Sequence, residues 1–152
     1  MHVLLATDAQ WVVDEIVAAL SGPETSFTVC RNGRDVTNVV LARTPDIAIL
    51  DLQSGSMGGF AVAMNLRHDE SSGAMPHIPV LMLLDRDADV FIARRSGANA
   101  WIVKPLDALS LNRGVALALE SAVIDDESDD RADEPDPSSA TETAEEESVS
   151  AG

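Results

Sequence analysis

Five short apolar runs, each followed by a stretch with helical spacing, leave this chain few ways to fold. The runs are residues 2 to 7, Phe27 to Cys30, Ile47 to Leu50, Ile78 to Leu84 and Ala100 to Val103. Each is nearly continuous rather than alternating, the pattern of a strand buried on both faces. After the first run Trp11, Val12, Ile16, Val17 and Leu20 recur at helical spacing until Gly22-Pro23 ends the helix. Further helices are expected from about Gly33 to Arg43, Gly59 to His68, Ala88 to Ser96 and Leu106 to Ala122. Five strand–helix units in this order predict an α/β fold, a doubly wound five-stranded parallel sheet with helices on both faces and right-handed crossovers.

The flavodoxin-like strand order 2-1-3-4-5 is the doubly wound form expected at this length. It makes strands one and three neighbours, and their carboxyl ends flank the crevice where the strand order reverses. The run Pro45-Asp46-Ile47-Ala48-Ile49-Leu50-Asp51 delivers a carboxylate to that crevice and is followed by the flexible Ser54-Gly55-Ser56-Met57-Gly58-Gly59. Similar strand ends place Asp8 after strand one, Asp85 after strand four and Lys104 after strand five. One crevice then holds Asp8, Asp51 and Lys104. Two carboxylates side by side repel unless a cation sits between them, and a hard ion such as Mg²⁺ suits oxygen ligands completed by water. Lys104 is the only lysine against nine arginines, and its compact ammonium would serve an anion held at Asp51.

The net charge of −16 is unevenly placed. Residues 125 to 152 hold twelve acids and one base, Arg131, so −11 of it sits there. That segment is nearly free of large apolar residues and is expected to be disordered, which divides the chain into a domain over 1–123 and an acidic tail over 124–152. Scattered arginines without a basic patch speak against direct nucleic-acid binding. Cys30 is the only cysteine, so no intrachain disulfide exists, and it reads as a small core residue. No segment approaches the roughly 18 apolar residues of a membrane span, and no leader-like start is visible. A cytoplasmic protein without a membrane partner is expected. His2, His68 and His77 fall in separate segments without metal-ligand spacing.

Taken together, Asp8, the run Asp46 to Leu52 with Met57-Gly58-Gly59-Phe60, Pro79-Val80-Leu81-Met82, Ser96-Gly97-Ala98 and Lys104-Pro105 resemble the receiver domain of two-component response regulators over about residues 2 to 120. The resemblance implies that Asp51 is the phosphoryl acceptor and Asp8 a Mg²⁺ ligand. It implies a backbone-carbonyl ligand at Gln53, and Lys104, ahead of a cis Lys104-Pro105 bond, as partner of the phosphoryl group. A histidine kinase or phosphotransfer protein is the implied donor, and the implied role is a stand-alone signalling module rather than an enzyme. A dehalogenase-type phosphatase would need an Asp where Gln53 stands, and a flavodoxin would need a phosphate loop where Ala9-Gln10-Trp11 stands.

Three positions depart from the family pattern. Thr7 replaces the first residue of an acidic pair, which weakens metal binding but leaves a hydroxyl able to hold a metal-bound water. The loop proline is absent around Ser54-Gly55-Ser56, which predicts a more mobile loop. At the end of strand four Leu84 has no hydroxyl to bond a phosphoryl oxygen and is expected to place bulk beside the acceptor. Trp101, on strand five, is then expected to keep one orientation. Trp101 reads as half-buried packing, Trp11 and Met57 as packing near the crevice, and Arg94-Arg95 as a solvated face. Arg94, Arg95 and Trp101 together are the expected face for a downstream protein, and a homodimer is left open. The alternative function is a phosphorylation-independent receiver-like interaction module, favoured by Thr7 and Leu84.

Overall fold

The computed structural model describes residues 1–132. Ten elements alternate: β1 (His2–Ala6), α1 (Gln10–Leu20), β2 (Ser26–Cys30), α2 (Val36–Ala42), β3 (Ile47–Asp51), α3 (Gly59–Ser71), β4 (Val80–Leu84), α4 (Val90–Arg95), β5 (Ala100–Val103) and α5 (Ala108–Ala132). The strands pair in parallel in the order β2-β1-β3-β4-β5, the expected doubly wound sheet.

Strand alternation sorts the core into two layers. Leu4, Ala6, Ala48, Leu50, Val80, Met82 and Leu84 face α2, α3 and α4, whereas Val3, Leu5, Ile47, Ile49, Leu81 and Leu83 face α1 and α5. Every residue of β1, β3 and β4 is buried, which is why those runs read as continuous apolar stretches. β2 is an edge strand and only Cys30 in it is fully buried.

Several element ends differ from expectation for identifiable reasons. β4 starts at Val80 because Pro79 has no N–H for the ladder. The second and fourth helices begin as single 3₁₀ turns, Gly33–Asp35 and Asp87–Asp89, before turning α-helical. The fifth begins after Asp107, whose carboxylate accepts from the Ser110 backbone N–H at 2.8 Å and the Ser110 hydroxyl at 2.9 Å. It then runs to Ala132, past the boundary drawn at residue 123. Leu111, Val115, Ala118 and Ala122 bury one stripe of it, and once a helix is anchored each added residue needs only propagation. The rest of the expected disordered tail, 133–152, lies outside the described residues. No helix among the described residues is long and apolar enough to cross a membrane.

Candidate functional site

The carboxyl ends of β1, β3 and β5 converge on Asp51. Register sets Ala6 beside Leu50 and Asp51 beside Leu83, so the residues that follow β1 and end β3 meet above the sheet. Asp51 is 1% exposed, and both its oxygens are held. The Thr7 hydroxyl donates to Oδ2 at 2.8 Å, and Lys104 Nζ donates to Oδ1 at 2.8 Å. Thr7, fully buried, also accepts from the Ala9 backbone N–H at 3.2 Å, which links it to the start of α1.

Lys104 follows β5 and precedes a cis peptide bond to Pro105, as the sequence implied. Its ammonium also donates to Asp85 Oδ1 at 3.0 Å and lies 5.5 Å from the centroid of the Trp11 ring. Burial works to lower its pKa, but the hydrogen bonds to Asp51 and Asp85 and their charges outweigh it and hold the ammonium above its ordinary value. Asp85 was legible as a strand end but not as a partner of Lys104. Its only sequence signal is the carboxylate directly after β4, matching Asp8 after β1. Trp11 is 51% exposed, so it covers Lys104 at the crevice rather than packing in the core.

The loop after β3 is tied at two points. Gly55 N–H donates to Asp8 Oδ2 at 2.8 Å, and the Ser56 hydroxyl donates to Asn32 Oδ1 at 2.6 Å. A proline at position 55 would have no N–H to give, so the missing proline is exchanged for a bond across the crevice. Met57 packs on the core, as expected. Gly59 must stay small, since a Cβ there would lie 2.8 Å from the Asp51 carbonyl oxygen and 2.7 Å from Met82 Sδ.

Asp8, Asp51 and the Gln53 carbonyl are the oxygens that could hold a hard divalent ion such as Mg²⁺. With a hydroxyl at Thr7 in place of a third carboxylate, no group of three His, Cys, Asp or Glu is placed to hold a metal among the described residues. The histidines belong to other networks: His2 lies between Ser26 and Thr28, and His77 pairs with Glu70 at 3.0 Å.

Leu84 ends β4, the strand beside β3. It is fully buried and joins Met82 on the α2–α4 face, while Asp51 follows Ile49 toward the opposite face. Its bulk packs in the core. Trp101 is partly buried against the same layer as Leu84. Arg94 lies over the Trp101 ring at 5.5 Å, whereas Arg95 lies over Phe91 at 5.4 Å, so the two neighbouring arginines serve opposite flanks of α4.

A family model described as the response regulator receiver domain matches residues 3–116. Protein PilH of Pseudomonas aeruginosa is 23% identical over 118 residues, covering 78% of this chain and 97% of that protein. The DNA-binding transcriptional regulator NtrC of Escherichia coli is 29% identical over 117 residues, which cover 70% of this chain but only 23% of NtrC. The structure of the chemotaxis response regulator CheY4 of Vibrio cholerae superposes with a TM-score of 0.68 at 21% identity, covering 78% of this chain and 98% of its own.

Proposed function

The chain belongs to the response regulator receiver family, and from that premise we propose that it acts as a stand-alone receiver whose Asp51 takes a phosphoryl group from a histidine kinase or phosphotransfer protein. The observation that carries this reading is a buried aspartate at the end of β3 with an ammonium 2.8 Å from one oxygen. Receivers are generally signalling modules rather than enzymes, and near-complete overlap with PilH supports the stand-alone reading.

In the proposed transfer an Asp51 carboxylate oxygen attacks the phosphorus of a phosphohistidine. The P–N bond breaks, an acyl phosphate forms, and the electron pair leaves on the imidazole nitrogen, which takes a proton. Lys104 shifts from the carboxylate to the incoming phosphoryl oxygens, and Thr7 keeps the other carboxylate oxygen oriented. Mg²⁺ held by Asp8, Asp51 and the Gln53 carbonyl, with Thr7 reaching it through water, would neutralise charge on the transferred group. A cytoplasmic site of action and output through a protein partner on the Arg94/Trp101 side of α4 complete the proposal.

Intact-mass measurement after incubation with acetyl phosphate and Mg²⁺ tests it. The expected result is a gain of one phosphoryl group in wild type and none in Asp51→Asn. No Asp51-dependent gain, with a donor proven on another receiver, overturns it in favour of a phosphorylation-independent interaction module. Full engagement of both Asp51 oxygens and the absent hydroxyl at Leu84 favour that second reading.

A further inference from the structure

We propose that the groove between α3 and α4 is a docking site for an acidic peptide segment of a partner protein, one that carries a bulky apolar side chain between its carboxylates. The groove has a volume of about 550 Å³, and Phe60 and Phe91 line it. They are 38% and 64% exposed, large rings left open on the surface. An apolar side chain of the partner lies against these rings.

Two further features state what surrounds that side chain. Arg86 and Arg95 flank the groove against a single carboxylate in its lining, Asp89, so an acidic segment is drawn to this place. Asp89 also lines the groove and is 2% exposed, yet its Oδ2 has no hydrogen-bond partner among the described residues. Its Oδ1 accepts from Arg86 at 3.0 Å. A buried carboxylate oxygen without a donor is costly. The Arg86 side chain is 72% exposed, so while it keeps Oδ1 its other N–H groups can meet a carboxylate of the partner, and a backbone N–H of the same segment can bond the unpaired Oδ2. A peptide supplies the carboxylates, the apolar side chain and the N–H together, and a bare anion does not.

The groove differs from the Trp101 side of α4 and does not depend on phosphorylation. It does adjoin the acceptor, since Leu52 and Gln53 line it and directly follow Asp51.

The test is selection of a phage-displayed random peptide library on the full chain, with counter-selection on Phe91→Ala/Arg95→Glu. The expected consensus has Asp or Glu on both sides of Leu, Ile, Phe or Trp. The synthetic consensus peptide should bind at least about tenfold more weakly to Phe91→Ala and to Arg95→Glu, and with unchanged affinity to Trp101→Ala and Asp51→Asn. Both groove positions are exposed, and equal melting temperatures of the variants show that fold is not the cause. Peptides without an acidic consensus, or binding lost in Trp101→Ala and kept in Phe91→Ala, overturn the proposal. Retained binding in Asp51→Asn separates it from failure of the phosphoacceptor reading.

Discussion

Replacing Lys104 by methionine should destabilise the fold far more than removing the charge it faces. Lys104 is 12% exposed and Asp51 1%, and the pair is 2.8 Å apart. Lys104→Met keeps most of the aliphatic stem but leaves Asp51 Oδ1 a buried charge without its cation. Breaking a buried pair from one side costs about 3–5 kcal/mol. Thr7 still bonds Oδ2, so the lower end, about 3 kcal/mol, is expected. Asp85, 36% exposed, turns to water and adds little. At about 4 °C per kcal/mol for a domain of this size, the melting temperature should fall by about 12 °C. Lys104→Met/Asp51→Asn removes both charges and should recover most of that loss. Thermal and urea unfolding followed by circular dichroism across the four proteins measure the melting temperatures and the free energies. The sign with pH is also set. The ammonium's pKa is raised in the fold, so its contribution is complete below the ordinary value of 10.5 and is lost as pH rises through the folded value. The gap between wild type and Lys104→Met should therefore persist at neutral pH and close only in strong alkali. A single variant that melts within a degree or two of wild type, or a double variant no more stable than the single, refutes the reasoning.

Glu70 is a second charge with a signed pH dependence. Burial works to raise its pKa, but bonds from His77 and the Ile78 N–H, with the Arg67 charge, hold it below the ordinary 4.5, so its stabilisation is present above 4.5 and lost as pH falls through the folded value. Glu70→Gln should flatten the acid limb of a stability–pH curve, and an unchanged limb would show that Glu70 carries no linkage. Because position 84 lacks a hydroxyl, Trp101 fluorescence in a Trp11→Phe background should change little when Asp51 is phosphorylated; a large change abolished by Asp51→Asn would show a working switch. Ending the chain after Ala132 should leave the melting temperature nearly unchanged, since the residues removed are almost without large apolar side chains; a drop of many degrees would mean that they pack on the domain.

Much of this protein is written in local pattern. Strands buried on both faces need unbroken apolar runs, and helices over them need a 3.6-residue stripe, so the alternation itself carried the parallel sheet, while its strand order followed as the doubly wound form expected at this length. The order in turn brought Asp8, Asp51 and Lys104 to one crevice, because parallel strands all end on the same side. Side-chain partners were not legible in this way. That Thr7 bonds Asp51, that Gly55 reaches Asp8 and that Asp85 shares Lys104 depend on contacts between residues far apart in the chain, set by register and rotamer rather than by periodicity. Leu84 shows the limit most clearly. Position alone marks it as the end of β4, whereas register, with Leu83 opposite Asp51, decides that its side chain packs in the α2–α4 layer of the core. The groove between α3 and α4 had no signal in either helix taken alone. Phe60 stands in α3, Phe91 in α4, and Arg86 and Asp89 just before α4, and only the tertiary fold makes them one surface.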